Sequence, residues 1–243
     1  MLRMLDLFSG IGGFSLGCEA TKGFETIAFC EIDPFCRKVL AKHWPGVPIF
    51  EDITKLGEGE LNDLGNIDVI CGGFPCQDIS CAGKGAGIHA ARSGLWWEML
   101  RIIRLVRPQY VLVENVAALL NRGLDEVLGS LAESGYDAEW AMLSASDFGA
   151  PHTRRRLFGV AHTNGVNGKE GMGDISKRKK PIFGGERRNC FGNWILPTSG
   201  IDRSNDGLSR KLDADRIKAL GNAICPPVAQ YVAECVLAYE KEI

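Results

Sequence analysis

Met4-Leu5-Asp6-Leu7-Phe8-Ser9-Gly10-Ile11-Gly12-Gly13-Phe14 carries an apolar strand directly into a turn built from glycines. Glycines at such a place let the backbone turn tightly and come close to a ligand, as after the first strand of a doubly wound sheet. The turn departs from G-x-G-x-x-G, and no lysine follows it to form a phosphate loop. By itself it leaves dinucleotide, flavin, adenosyl and empty-turn readings open.

Beyond this turn, short apolar runs alternate with helical patterns, which predicts a mostly parallel sheet wrapped by helices on both faces. The expected strands are Met4–Phe8, Thr26–Cys30, Val47–Phe50, Ile67–Cys71, Tyr110–Glu114, Glu139–Leu143 and Leu157–Ala161. Asp33-Pro34 reads as an N-cap followed by proline at the first helical position, opening a helix through about His43. Leu95–Val106 predicts a second helix, with Leu95, Met99, Ile102, Ile103 and Val106 on one face. Leu124–Ser134 predicts a third, closed by Gly135.

The 243 residues suffice for one well-buried core with a small appendage. No run reaches the roughly 18 apolar residues of a membrane span, and no membrane association is expected. The first residues meet charge too early for a signal peptide. Nine cysteines, an odd number, scatter through apolar runs and read as reduced, buried thiols, among them Cys18, Cys30, Cys71, Cys225 and Cys235. No C-x-x-C pair exists, and His89 is the sole imidazole near Cys71, Cys76 and Cys81, so no metal site is expected.

The texture changes after His162. Between 162 and 207 the chain is rich in Gly, Asn, Lys and Arg, with eight Lys and Arg against five Asp and Glu, in a chain of net charge −2. It includes the run Lys177-Arg178-Lys179-Lys180. An apolar helical pattern resumes at Val228 and runs to Leu237. The expectation is a sheet domain, 1–161 and 208–243, interrupted by a small basic insertion, 162–207.

The ends of the next two strands carry acids. Glu31 stands where carboxylates of doubly wound sheets accept hydrogen bonds from ribose hydroxyls. Asp52-Ile53 follows the third strand, so that Asp52 can meet an adenine amino group and Ile53 its ring. Each acid taken singly reads as well as a helix cap or a surface charge. Together with the glycine turn they point to a nucleoside site.

Ile67-Asp68-Val69-Ile70-Cys71-Gly72-Gly73-Phe74-Pro75-Cys76-Gln77-Asp78-Ile79-Ser80 places a cysteine after a proline at the mouth of the sheet. Gly10-x-Gly12-Gly13, Pro75-Cys76-Gln77, Glu114-Asn115-Val116, Arg154-x-Arg156 and Gly221-Asn222 follow one another in an order that resembles the DNA cytosine-5 methyltransferases. The likeness spans essentially all of 1–161 and 216–237. It implies the doubly wound fold of the S-adenosyl-L-methionine-dependent methyltransferases. It also implies methyl transfer from that cofactor to carbon 5 of a cytosine flipped from double-stranded DNA.

The roles that the resemblance implies are chemically coherent. Carbon 5 of cytosine is a poor nucleophile, and a Cys76 thiolate adding at carbon 6 makes it enamine-like. Glu114 holds the N3 and amino edge of the base, and Arg154 and Arg156 hold its carbonyl and the thiolate region. Phe8, Gly10, Gly12, Gly13, Glu31, Ile32, Asp52, Ile53, Pro75, Leu95 and Asn222 fall at positions lining the cofactor site. Gln77 and Ser80 begin a glycine-rich loop that closes on DNA, with Arg92 a phosphate contact or a plain surface arginine. The region 162–207 stands where such enzymes read their target, with Lys177, Arg178, Lys179 and Lys180 as phosphate contacts and Phe191 and Trp194 as anchors of a small core. Its shortness implies a short or degenerate target, or reliance on a partner.

Some positions depart from the family pattern. His152 replaces the usual glutamine before the arginine pair, Ile32 the usual aromatic after the ribose acid, and Glu51 the usual glycine before Asp52, adding a charge with no evident role. A monomer in a bacterial or phage-infected cytoplasm is expected, with a cognate restriction endonuclease as functional partner. The alternatives are a transfer-RNA cytosine-5 methyltransferase, whose Cys-Phe-Thr signature is missing here, and a catalytically silent DNA-binding relative, against which Cys76 and Glu114 stand. A folate-dependent pyrimidine methylase lacks a use for the adenosyl-site features.

Replacing Lys177–Lys180 with alanine is expected to weaken duplex binding and flatten its salt dependence, by a slope of roughly 0.9 for each phosphate no longer neutralised. Titrations at several salt concentrations check this, and an unchanged slope removes the cluster from the interface.

Overall fold

The computed structural model describes residues 1–75, 94–163 and 210–241. Among these, seven strands form one sheet: β1 (Leu2–Leu7), β2 (Phe24–Cys30), β3 (Ile49–Phe50), β4 (Val69–Gly72), β5 (Tyr110–Val116), β6 (Tyr136–Ser144) and β7 (Arg155–Thr163). Their spatial order is β3-β2-β1-β4-β5-β7-β6. Pairs among β1 to β5 are parallel, while β7 runs antiparallel to both β5 and β6. The expected mostly parallel, doubly wound sheet is therefore present. Its strand order reverses between β1 and β4, where Leu7 lies in register with Gly72. Ligands of open α/β sheets bind outside the carboxyl ends of strands at such a reversal.

Among the described residues, seven α-helices accompany the sheet: α1 (Gly13–Ala20), α2 (Pro34–His43), α3 (Glu58–Asp63), α4 (Leu95–Val106), α5 (Leu124–Glu133), α6 (Arg210–Asn222) and α7 (Pro226–Glu240). Asp33 caps α2 as expected, its carboxylate accepting from the amides of Phe35 at 2.9 Å and Cys36 at 3.4 Å. The α4 span also matches, but its buried face is turned by about one residue. Trp96 and Leu100 are buried, while Leu95 and Val106 are half-buried. The Trp96 indole donates to Ser130 Oγ of α5 at 3.1 Å, which satisfies its one polar atom in the core. The third strand is shorter than expected, two residues in place of four.

One core lies between the sheet and α4 and α5, and contains Leu5, Ile70, Trp96, Met99, Ile102, Val111 and Leu157. The other lies under α1 and α7, and contains Met4, Phe14, Tyr110, Leu112, Val228 and Val232. Alternation along β1, β4 and β5 explains this division, since successive side chains point to opposite faces. Six described cysteines are free; Cys225 is only half-buried, contrary to its expected burial. Among the described residues no helix is long and apolar enough to cross a membrane.

The two outermost helices of the second core meet almost backbone to backbone. A Cβ on Gly17 of α1 would lie 2.3 Å from the Pro226 carbonyl oxygen and 2.7 Å from Ala229 Cβ of α7. Glycine costs a helix up to about 1 kcal/mol relative to alanine, and overpacking a filled core costs about 1–3 kcal/mol. The second effect wins here, so Gly17→Ala is expected to destabilise the fold by about 1–2 kcal/mol in urea unfolding. Gly129→Ala in α5, where nothing stands within 4 Å, is expected to stabilise by roughly 0.5–1 kcal/mol. The same sign for both changes overturns the packing account.

Candidate active site

Every described candidate residue of β1 to β5 and β7 lies at one edge of the sheet, the carboxyl ends of the parallel strands. β7 enters that edge with its amino end because it runs the other way.

The glycine turn after β1 is strained and held from several sides. Phe8, Gly10 and Gly12 adopt positive φ of 54°, 54° and 84°. Ser9 Oγ donates to the Asp6 carbonyl at 2.6 Å, and Ser15 Oγ of α1 donates to the buried Asp6 carboxylate at 2.7 Å. Burial raises Asp6 to about 7, against the lowering by Ser15. Gly10 N–H donates to Glu31 Oε2 at 2.7 Å, and Asp33 N–H donates to Glu31 Oε1 at 2.7 Å. Glu31, buried at the end of β2, thus fastens the turn to the start of α2. Each of its oxygens keeps acceptor capacity for a hydroxyl.

The three glycines divide their work. Above Gly10 nothing stands within 4 Å, so this glycine leaves the approach to the turn open. A Cβ on Gly12 would strike the Trp44 ring at 2.6 Å, and one on Gly13 the Ile224 carbonyl oxygen at 2.4 Å. For Gly13 the demand for glycine comes from packing within the chain, and for Gly12 from packing and from its left-handed φ together.

An open cavity of about 440 Å³, within the size range of ligand pockets, adjoins the ends of β2 and β3 and is lined by Ile32, Arg37, Phe50, Glu51, Asp52 and Lys55 among others. Ile32 is exposed there. Asp52 Oδ1 accepts from the Thr54 amide at 3.0 Å and hydroxyl at 2.8 Å, starting the 3-10 turn Ile53–Lys55 and holding its own carboxyl below the usual range. The Ile53 side chain is buried in the core. Arg101 of α4 pins that turn from below, donating to the carbonyls of Ile53 at 2.8 Å and Leu56 at 2.9 Å. Glu51, the charge without an evident role, pairs with Arg37 at 3.1 Å.

At the end of β4, Gly73-Phe74-Pro75 leads toward Cys76. Phe74 packs on Trp96 with ring centroids 5.3 Å apart, and its carbonyl accepts from Asn115 Nδ2 at 3.2 Å. Glu114 lies on β5 opposite Phe158, so Arg156, paired with Val116, is its diagonal neighbour on the same face. Arg156 Nε stands 3.3 Å from Glu114 Oε1. A Cβ on Gly73 would lie 2.9 Å from Glu114 Oε2, so glycine there lets the carboxyl approach the loop before Cys76. Burial pushes Glu114 up to about 7, against the opposing pull of Arg156 and Arg154. Arg154, with φ of 29°, donates to the Gly221 carbonyl at 2.8 Å, which joins β7 to the end of α6 beside the exposed Asn222. Burial lowers the Arg154 guanidinium, and Arg156 adds to the effect. Lys218 of α6 reaches Asp33 at 2.7 Å. Leu95 begins α4, half-buried against the first core.

Cys76, Gln77, Ser80, Arg92 and Lys177–Lys180 lie outside the described residues. The sequence reading passed over Gly73, Arg37, Arg101 and Lys218. An arginine three residues after Asp33-Pro34 offers a weak signal for Arg37; the rest depend on contacts distant in sequence.

The profile of the family described as C-5 cytosine-specific DNA methylase matches residues 2–190. The chain is 39% identical over 168 residues to the Type II methyltransferase M2.BsuMI of Bacillus subtilis, which is 66% of this chain and 42% of that protein. It is 33% identical over 231 residues to the Type II methyltransferase M.HgiCII of Herpetosiphon aurantiacus, 92% of this chain and 50% of that one. The chain thus spans two fifths to half the length of these relatives. Its fold is similar to that of the Dnmt2 methyltransferase of S. pombe, with a TM-score of 0.57 and 23% identity over 72% of this chain and 52% of that one.

Glu114 gives the site a measurable pH signature. Below about 4.5 the carboxyl is protonated in folded and unfolded chains alike, and its burial costs nothing. As pH rises toward 7 the unfolded chain ionises first, so stability is lost across that interval, on the order of 3 kcal/mol by pH 8. Glu114→Gln is expected to remove this loss, so its stability relative to wild type grows between about pH 4.5 and 8 in urea unfolding. A difference that stays flat makes Glu114 an ordinary carboxylate.

Proposed function

The chain belongs to the C-5 cytosine-specific DNA methylase family, and on that footing we propose that it methylates carbon 5 of a cytosine flipped from double-stranded DNA, with S-adenosyl-L-methionine as donor and Cys76 as covalent nucleophile. The observation that carries the reading is Glu114. It is a buried carboxyl, raised to about 7, beside Arg156 and against the glycine of the loop that leads to Cys76.

A carboxyl that holds its proton near neutrality suits donation to a ring nitrogen. Glu114 presents that proton to N3 of the cytosine while the Cys76 thiolate forms a bond to carbon 6. The electron pair of the 5,6 double bond then becomes available at carbon 5. Arg156 keeps the Glu114 carboxyl oriented, and with Arg154 supplies positive charge for the cytosine carbonyl. Once carbon 5 has used that electron pair to bond the methyl group, loss of its proton to water or hydroxide, departure of the Cys76 thiolate and return of the N3 proton to Glu114 restore the aromatic ring. Asn115 holds the Phe74 carbonyl, and so steadies the approach to Cys76.

The residues at the ends of β1 to β3 suit the donor. Gly10 leaves room, Glu31 retains acceptor capacity for ribose hydroxyls, and the cavity at Ile32, Phe50 and Asp52 accepts a base. Phe8, Pro75, Leu95 and Asn222 are assigned to the same site from motif order, and Ile53, buried in the core, supports it through the turn that it begins. When bound, the donor supplies an electrophilic methyl group on a positively charged sulfur. Residues 1–161 and 208–243 form the catalytic unit and 162–207 the target-recognition region. The Type II names of its relatives support a role beside a restriction endonuclease in a bacterial or phage-infected cytoplasm.

Labelled S-adenosyl-L-methionine, offered with unmodified duplex DNA or with transfer RNA, tests the reading by nucleoside analysis. The expected product is 5-methylcytosine in DNA, reduced on the order of a thousandfold or more in Cys76→Ser, with donor binding retained. Equal methylation by Cys76→Ser overturns the covalent route, and product confined to transfer RNA overturns the substrate.

A further inference from the structure

Two residues with flat side-chain groups, Phe50 and Arg37, are among those lining the cavity at the ends of β2 and β3, and the Arg37 side chain is 21% exposed. Ile32, the side chain that follows the ribose acid, is 72% exposed and offers only an aliphatic surface. Arg37 is held in an unusual way for a side chain at a cavity rim. Its Nη1 donates to the carbonyls of Ile32 at 2.7 Å and Glu31 at 3.2 Å, and its Nη2 pairs with Glu51 at 3.1 Å. Two carbonyl acceptors on Nη1, with the Glu51 carboxylate beside Nη2, hold its plane and remove much of the rotamer freedom that a surface arginine otherwise keeps. An ion pair whose carboxylate is 73% exposed contributes little to stability, so fold stability is a poor reason for the arrangement. A fixed guanidinium is instead a good platform for an aromatic ring, by stacking and cation–π attraction.

We propose that Arg37, pinned by Glu51 and by the Glu31 and Ile32 carbonyls, is the stacking wall for the adenine of the donor. The reading rests on the assignment of this cavity to S-adenosyl-L-methionine. It joins two departures of the sequence, Ile32 and Glu51, in a single device. The aliphatic residue leaves a face of the base uncovered, and the added carboxylate holds the arginine that covers it. Asp52 lines the same cavity with Oδ1 committed to Thr54 and Oδ2 4.0 Å from the exposed Lys55 Nζ, a long pair that an edge of the base can replace while Arg37 meets its face. Base recognition on this side is then cationic and planar.

The test is equilibrium binding of S-adenosylhomocysteine, the unreactive product, to the full chain by calorimetry, beside the ligand-free melting temperature of each variant. Arg37→Met keeps the aliphatic stem and is expected to weaken binding roughly three- to tenfold. Arg37→Lys keeps the charge and reaches Glu51 but lacks the plane, and is expected to lose nearly as much. Ile32→Trp should restore most of the affinity in the Arg37→Met background, and add much less to wild type, because ring and guanidinium serve the same face. Glu51→Gln should cost about twofold, through looser pinning.

Wild-type affinity in Arg37→Met, or in Arg37→Lys, overturns the stacking wall while the donor assignment stands. The same gain from Ile32→Trp in both backgrounds also overturns it. Failure of the wild-type chain to bind either S-adenosylhomocysteine or S-adenosyl-L-methionine overturns the donor assignment, and the wall falls with it. Should Arg37→Met fail to fold, Arg37→Lys and the Ile32→Trp comparison in its background decide the matter.

Discussion

The close approach of α1 to the segment that opens α7 is the contact on which the rest of the site depends. Gly13 meets the Ile224 carbonyl and Gly17 the Pro226 carbonyl, at separations that leave no room for a side chain. The first helix after the glycine turn is thereby fixed against a segment from the far end of the chain. The same contact sets where α6 ends. With α6 ending just before Ile224, Gly221 reaches Arg154 and Lys218 reaches Asp33, so the C-terminal segment touches both the residue that leads into β7 and the segment that follows β2. α6 buries little by itself, with Ala219 the one fully covered apolar residue among its described side chains and Ile217 and Leu220 exposed. Its position comes from its neighbours.

Electrostatics around Glu114 is a contest between burial and charge. An ion pair alone lowers a carboxyl, and Arg156 stands close enough to do so. Burial wins, because Glu114 sits on a central strand with protein around it and one arginine still partly in solvent. The outcome is a carboxyl able to be either donor or acceptor near neutral pH, beside cations that stay charged. Neither group achieves this alone: without Arg156 the carboxyl rises further, and without burial it is a plain carboxylate.

The sheet was largely legible in the sequence because its strands are short apolar runs separated by turn and cap signals. Asp33-Pro34 announced α2 through local chemistry, and Leu95–Val106 announced α4 through periodicity. Trp96 was missed because its neighbour Trp97 is equally apolar, and only the packing of α4 on α5 decides which of the two turns inward. Helix α1 carries two glycines and is eight residues long, and α6 is polar with scarcely an apolar stripe, so neither had a periodic signal. Glu31 and Asp52 were legible as candidates from their places after the second and third strands, and Glu114, Arg154 and Arg156 from motif order. Their mutual geometry was not. Glu114 meets Arg156 through the register of antiparallel strands, and Asp33 meets Lys218 across 185 residues. Gly12 takes the left-handed conformation that a tight turn requires, while the surfaces that Gly12 and Gly13 also accommodate come from Trp44 and Ile224, too far along the chain to be read from it.

A common principle runs through the ends of β1 to β3: the polar groups there hold one another before any ligand arrives. A non-glycine residue at positive φ costs on the order of 1–3 kcal/mol, and Phe8 keeps that conformation at the head of a turn with two more left-handed positions. Such a turn persists because Ser9, Ser15 and Glu31 overdetermine it. Asp52 is fixed by Thr54, the turn beneath it by Arg101, and Arg37 by Glu51 and two carbonyls. Each bond made in advance is ordering that a ligand does not have to impose, so more of the contact energy remains for affinity. The cost falls on the fold, in strain at Phe8 and in buried carboxyls at Asp6 and Glu114 whose protonation shifts toward neutrality. That cost is tolerable because the sheet beneath is apolar on both faces, covered by α4 and α5 on one and by α1 and α7 on the other. A rigid cradle of this kind favours whatever ligand matches its shape, because Glu31 and Asp52 are already held in place.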